Sequence, residues 1–363
     1  MRASVAVRPA AVQTAAGMSR PPAVVVAGLR KSYGPVAAVC DVSFAVADGE
    51  IFALLGPNGA GKTSILEILE GFRGRDSGQV DVLGIDPAHR ADGRELRERI
   101  GLVLQGIAVE PYLTVRETIA RNAGYYPAPR DIGEVISLVG LAGKEKQKVR
   151  NLSGGQKRRL DLALGLIGHP ELLFLDEPTT GFDPSARRDA WEIVRGLRDA
   201  GTTIVLTTHY MEEAQALADR VAVLSDGQIV AEGTPATIGG RDLARTRIRF
   251  ARPAGFTVAD LPAEADVVAG LPAGTDRAPG MNLAPGTNLA TGTDQPPGAA
   301  PAGDLVTVET AAPEQALHAL TSWAVSRGVP LDQLTVDRPS LEDVYLRLTS
   351  PAAAGSDPER GTR

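Results

Sequence analysis

The run Gly56-Pro57-Asn58-Gly59-Ala60-Gly61-Lys62-Thr63 combines the residue types that phosphate binding requires, at the required spacing. Glycines let backbone N–H groups turn inward as a nest around anionic oxygens. A helix beginning at the end of the run would point its positive N-terminal end at the same anion. Lys62 is spaced to reach the β- and γ-phosphates of a nucleotide, and the Thr63 hydroxyl to ligate Mg²⁺. Ser64, the next residue, completes this candidate nucleotide contact. A second run, Leu172-Leu173-Phe174-Leu175-Asp176-Glu177, is apolar until its last two residues. Such a strand delivers its acids to the carboxyl edge of an open α/β sheet, where ligands bind. Asp176 is suited there to hold Mg²⁺ through water, and Glu177 to polarise an attacking water.

Positioning these groups needs strands and helices in alternation, which the pattern from Ala23 to about Arg245 supplies. Ile51–Leu55 reads as a buried strand, and Ile65, Leu66, Ile68, Leu69 and Phe72 as one face of the following helix, with Gly71 at its end. Ser153 caps an expected helix striped by Leu160, Ala163, Leu164 and Ile167. Glu171–Leu175 and Thr203–Thr207 are further strands, with Ala190, Trp191, Val194 and Leu197 striping a helix between them. Asp226-Gly227, flanked by Val221–Leu224 and Ile229–Ala231, is a strong hairpin signal. The alternation predicts an α/β fold with a mostly parallel sheet covered on both faces.

Residues 269–303 are rich in Pro, Gly, Ala and Thr and read as a flexible insertion. Around it stand an expected strand at Thr246–Phe250, another at Leu305–Val308, a helix bearing Ala316, Leu317, Leu320, Trp323 and Ala324, and a last helix capped by Ser340. Residues 246–350 therefore form an expected small α+β accessory domain, with 1–22 as a disordered leader and 351–363 as a disordered tail. Met18 is an alternative start.

The net charge of -6 offers no attraction to nucleic acid, and none is expected as a partner. A single cysteine, Cys40, excludes an intramolecular disulfide framework and fits a reducing compartment; a small buried apolar role is its plain reading. No run approaches the ~20 apolar residues of a membrane-spanning helix. The basic group Lys144, Lys146, Lys148, Arg150, Lys157, Arg158 and Arg159 reads as a solvated helix and loop surface, with contact of part of it with anionic lipid or a membrane partner as the alternative.

Together with Leu152-Ser153-Gly154-Gly155-Gln156, shortly before the acidic strand end, these motifs resemble an ABC ATPase. The resemblance covers residues 23–245 and implies a P-loop domain with an antiparallel β subdomain and a helical subdomain. It implies that Tyr33 stacks on adenine, that Gln105 contacts Mg²⁺ and water and senses a membrane partner, and that His209 touches the γ-phosphate. Gly181-Phe182-Asp183 resembles the D-loop, with Asp183 at a dimer seam and Phe182 where leucine is expected. The resemblance also implies a head-to-tail homodimer with ATP between subunits, where Ser153, Gly154, Gly155 and Gln156 of one copy close over nucleotide held by the other. Glu177, His209 and Lys62 would carry catalysis.

Arg159-Leu160-Asp161-Leu162-Ala163, Thr207-Thr208-His209-Tyr210-Met211-Glu212-Glu213 and Arg338-Pro339-Ser340-Leu341-Glu342-Asp343-Val344-Tyr345 are similar to the bacterial drug-resistance branch, of the daunorubicin-exporter type. That similarity implies a separate ABC-2 type permease and a place at the cytoplasmic face of the cell membrane. Import, export of lipid or polysaccharide, and a non-transport ABC ATPase are the alternatives. The absence of a heptad run argues against the coiled-coil DNA-repair type.

Overall fold

The computed structural model describes residues 21–89, 92–103, 109–240, 245–253, 255–256, 260–262, 267–268, 305–338 and 340–349. Most of the expected leader, Gln105, the 269–303 insertion and the 351–363 tail lie outside the described residues. The chain divides into two compact units, Met1–Gly239 with Val344–Arg363, and Gly240–Asp343.

The first unit opens with β1 (Val24–Tyr33), β2 (Val36–Val46) and β3 (Ile51–Leu55), followed by α1 (Lys62–Leu69) and β4 (Ser77–Val82). β1, β2 and β4 form an antiparallel sheet in the order β2-β1-β4. Its apolar face closes one core, in which Phe44 stacks on Phe52 at 5.1 Å between ring centres. Then come α2 (Gly93–Arg99), β5 (Ile100–Val103), α3 (Val115–Ala123), α4 (Ile132–Leu138), α5 (Gly154–Leu166) and β6 (Leu172–Asp176). The unit continues with α6 (Pro184–Asp199), β7 (Thr203–Thr208), α7 (Met211–Leu217), β8 (Arg220–Ser225) and β9 (Gln228–Gly233).

The main sheet has the order β5-β6-β7-β3-β8-β9. Its first five strands pair in parallel and only β9 is antiparallel, so the expected α/β class holds. β3, β6 and β7 are buried along their whole length, which is why their centres read as apolar runs, while Asp176 at the end of β6 and Thr203, Thr207 and Thr208 of β7 are buried polar positions. Asp226 and Gly227 turn β8 into β9 at φ 48° and 74°, the left-handed pair that a two-residue hairpin needs. Thr114 caps α3 in a reciprocal box with Glu117, and Ser153 caps α5 in the same way with Gln156.

The second unit holds β10 (Thr246–Ala251), β11 (Val267–Val268), β12 (Leu305–Thr310), α8 (Pro313–Arg327) and β13 (Thr335–Asp337). They form an antiparallel sheet ordered β11-β12-β10-β13, with Ala316 and Leu320 of α8 packed on Ile248, Phe250, Val306 and Val308. A final helix, α9 (Leu341–Thr349), starts at Ser340, whose hydroxyl accepts the Asp343 N–H at 3.0 Å. Three side chains depart from the sequence reading. Phe72, expected on the apolar face of α1, lies beyond the end of that helix and is exposed. Cys40 is half-buried rather than a core residue. On α5, Leu164 is only half-buried while Asp161 is buried, so the apolar stripe is shifted toward a charged position.

Candidate functional site

The glycine run leaves the end of β3 and enters α1, and two of its glycines are irreplaceable on steric grounds. A Cβ on Gly56 would lie 2.5 Å from the Leu224 carbonyl oxygen. A Cβ on Gly61 would lie 2.3 Å from the Ala38 carbonyl oxygen, at φ +102°. Around Gly59, by contrast, space is open. The loop is thus pressed against the protein on one side and clear on the other.

Lys62 is 4% exposed, and its ammonium donates to the carbonyl oxygens of Gly56 (2.8 Å) and Pro57 (3.0 Å). Its Nζ also lies 3.7 Å from Glu177 Oε1. The same carboxylate oxygen is 3.2 Å from His209 Nδ1, close enough for an ion pair though without hydrogen-bond alignment. Three expected catalytic side chains, from α1 and the ends of β6 and β7, therefore converge at one carboxylate. The parallel register of β3, β6 and β7 brings this about, because all three strands end on the same edge.

Asp176 accepts a hydrogen bond from Thr207 Oγ1 at 2.5 Å, and these residues are register partners on adjacent strands. Burial pushes the Asp176 carboxyl up from its ordinary range, with the Thr207 bond opposing. Burial pushes the Lys62 ammonium down, with Glu177 and Asp176 opposing. Asp176 and Glu177 bring two carboxyl groups to the loop beside the Lys62 ammonium, and carboxylate oxygens are donors that a hard cation takes. Among the described residues no group of three or more His, Cys, Asp and Glu side chains could hold a metal alone. Mg²⁺ suits this donor set, since it commonly takes one or two carboxylates plus phosphate oxygens. Asp176 and the exposed Thr63 hydroxyl are the residues that would hold it.

Glu177 has φ +47°, a left-handed conformation that costs a residue with a side chain about 1–3 kcal/mol. Its N–H donates to Thr207 O at 3.1 Å, and Thr180 Oγ1 donates to its Oε2 at 3.3 Å. Arg158 on α5 donates from Nη2 to the carbonyls of Asp176 (3.0 Å) and Glu177 (3.1 Å) and from Nε to Pro178 O (3.0 Å). Hydrogen bonds to a charged group contribute about 1.5–3 kcal/mol each, enough to offset the strain. The sequence groups Arg158 with solvated basic residues, but its side chain is only 12% exposed and pairs with Asp161 at 3.4 Å. Burial raises the Asp161 carboxyl to about 7, with Arg158 opposing. Sequence reasoning places neither Thr207 nor Arg158 in the site. An Arg three residues before an Asp within an apolar helical stripe is the signal that points to Arg158.

The remaining candidates lie around this centre. Tyr33, at the end of β1, is 37% exposed, and its hydroxyl lies 3.1 Å from Ser64 Oγ. Arg73 stands over its ring at 5.2 Å. Ser153 Oγ accepts the Gln156 N–H at 3.2 Å, and a Cβ on Gly154 or Gly155 would meet open space. Asp183 caps α6, accepting the N–H groups of Ser185 and Ala186 at 2.9 Å each, and these bonds hold its carboxyl below the usual range.

A glycine loop between a buried strand and a helix, facing an acidic strand end on the same parallel sheet, defines a P-loop nucleotide-binding protein. The chain belongs to the ABC transporter family. The ABC transporter family model matches residues 39–180, and a model for the C-terminal domain of ABC transporter domain-containing-like proteins matches 288–340. The latter match begins inside the stretch read as an insertion. The daunorubicin resistance ATP-binding protein DrrA3 of Streptomyces coeruleorubidus is 36% identical over 336 residues, covering 90% of this chain and 96% of that protein. The Nod factor export ATP-binding protein I of Bradyrhizobium diazoefficiens is 48% identical over 213 residues, covering 57% of this chain and 69% of its own. The resemblance to the drug-resistance branch is met by the first of these. Among solved structures, cbiO1 from Clostridium perfringens, part of the ABC transporter complex cbiONQ, superposes with a TM-score of 0.56 at 27% identity, covering 60% of this chain and 90% of that one. A dimeric post-hydrolysis state of the ATP-binding cassette MJ0796, bound to ADP and Pi, gives a TM-score of 0.53 at 25% identity, covering 58% and 98%. Among the described residues no helix is long and apolar enough to cross a membrane.

Proposed function

We propose that this chain is the ATP-hydrolysing subunit of an ABC exporter that drives efflux of a drug-like or natural-product compound through a separate ABC-2 type permease. It works as a head-to-tail homodimer at the cytoplasmic face of the membrane, with Mg²⁺ as cofactor. One observation carries the reading: Lys62 and His209 both approach the same oxygen of Glu177, at 3.7 Å and 3.2 Å, beside the glycine loop.

In this reading Tyr33 stacks on adenine, which is worth about 1–3 kcal/mol. The N–H groups of Gly59 through Thr63 receive the phosphates, and Lys62 leaves the loop carbonyls for the β- and γ-phosphates. Mg²⁺, when bound, neutralises charge developing on the phosphates. Glu177 orients the attacking water and accepts its proton at Oε1, the oxygen that faces His209 Nδ1. His209 then stands between that acid and the γ-phosphate. Ser153 and the open glycines behind it receive the phosphate of a nucleotide bound to the second copy, as one fold cannot bring both anion sites to one nucleotide. Gln105 and Asp183 serve Mg²⁺ and the subunit seam.

The test is hydrolysis of Mg-ATP by the purified full chain and by Lys62→Ala, for which we expect no turnover. Equal rates would sink the assignment. A second reading, export of another cargo class, is favoured by the identity to Nod factor export proteins. Co-expression with the product of a neighbouring gene for a protein of about six membrane helices, followed by efflux assays on both cargo classes, separates the two.

A further inference from the structure

Three successive carbonyl oxygens, of Asp176, Glu177 and Pro178, receive hydrogen bonds from one guanidinium. That guanidinium belongs to Arg158, on the helix whose N-cap is Ser153. Its remaining terminal nitrogen, Nη1, faces Asp161 Oδ2 at 3.4 Å, one turn further along the same helix. Both side chains are nearly withdrawn from solvent, at 12% and 10% exposure. The planar fork of arginine presents donors in fixed directions, so its position dictates where the three carbonyls lie.

This arrangement spans two parts of the candidate machinery. The carbonyls belong to the segment that holds Glu177 in its left-handed conformation. The helix belongs to the loop that would meet the second copy's nucleotide. A helix moves as a rigid element, so a shift of α5 when Ser153 is engaged reaches Arg158 less than two turns away. The guanidinium would carry that shift to the backbone of Glu177.

We propose that Arg158, backed by Asp161, is a positioning residue for hydrolysis that couples engagement of the Ser153 loop to the placement of Glu177. The proposal rests on the reading of Glu177 as the acid that orients water. In this role Arg158 acts through the backbone of Glu177, whose carbonyl it holds.

The test compares full-length wild type, Lys62→Ala, Arg158→Gln, Arg158→Lys, Asp161→Asn and the double variant Arg158→Gln/Asp161→Asn, measuring kcat, KM and the Kd of a fluorescent ATP analogue. Arg158→Gln should lower kcat about 10- to 100-fold, the usual cost of losing a supporting contact behind a catalytic group. KM and the analogue Kd should stay within about twofold, because the nucleotide contacts are untouched. Arg158→Lys should fall between wild type and Arg158→Gln, keeping one donor of the fork. Asp161→Asn should reduce kcat alone, and its effect should vanish in the Arg158→Gln background, since the two act as one unit.

A kcat for Arg158→Gln within about twofold of wild type overturns the proposal, as does a fall in kcat matched by an equal weakening of analogue binding. Additive effects in the double variant also overturn it. Should Arg158→Gln fail to fold, Asp161→Asn and Arg158→Lys still decide, and unchanged kcat in both counts against it. Absence of turnover in wild type, or turnover surviving in Lys62→Ala, refutes the ATPase reading instead, whatever Arg158 does.

Discussion

Glu70 offers a stringent check on the electrostatics of the nucleotide-binding unit. It follows α1 as the C-cap, is 4% exposed, and neither carboxylate oxygen has a hydrogen-bond partner among the described residues. Burial, followed by the charges of Asp176 and Glu67, pushes its carboxyl from the ordinary 4.5 to about 8. The folded protein thus holds a proton that the unfolded chain releases above about pH 4.5. Stability from this group is complete below that value and is lost as pH rises toward about 8. The slope is about 1.4 kcal/mol per pH unit, or roughly 3 kcal/mol lost by pH 7. Glu70→Gln keeps the shape and removes the ionisation. Its amide brings a desolvation cost of its own, but that cost does not vary with pH. The gap between variant and wild type should therefore widen in favour of the variant from pH 5 to pH 8.

Urea unfolding of nucleotide-free protein in a chelating buffer measures this gap. The chain has two tryptophans, Trp191 in the first unit and Trp323 in the second. A Trp323→Phe background makes fluorescence report on the unit that contains Glu70. Parallel stability curves for wild type and the Glu70→Gln variant across this range, or a gap that narrows with rising pH, would falsify the assignment of Glu70 as a buried neutral acid.

Three further outcomes are expected. Glu177→Gln should retain ATP binding, lose turnover, and accumulate dimer detectable by size-exclusion chromatography with light scattering; a monomer at saturating ATP contradicts the sandwich arrangement. Gly61→Ala should lose nucleotide binding and at least about 1–3 kcal/mol of stability from its backbone conformation alone, before the clash with Ala38 is counted, and a variant as stable as wild type by thermal denaturation refutes the steric reading. Deleting residues 269–303 should leave ATPase activity nearly unchanged. A collapse in rate would mean that the stretch, which the C-terminal family model enters at residue 288, has a structural task.

Much of the local design was legible in the residues themselves. The glycine loop, the Ser153–Gln156 capping box, the Asp226-Gly227 turn and the Ser340–Asp343 cap each depend on groups only a few positions apart. Backbone sterics and short hydrogen-bonded rings decide such features, and both are written in contiguous sequence. Buried parallel strands were legible for a related reason, since the centre of a strand covered on both faces is apolar, as Ile51–Leu55, Leu172–Leu175 and Ile204–Leu206 are.

What the tertiary structure decided is which distant side chains share a dielectric. Lys62, Glu177 and His209 meet because strand order sets β3 and β6 on either side of β7 with all three ends on one edge. Arg158 and Glu70 illustrate the same limit from the opposite direction. Sequence neighbours mark Arg158 as a surface cation, and the sequence reading does not single out Glu70, yet packing largely removes both from water. Burial depends on the topology of the whole unit, and an ionisable group taken out of solvent acquires its role only from whatever the fold sets beside it: three carbonyls for Arg158, no hydrogen-bonding group among the described residues for Glu70.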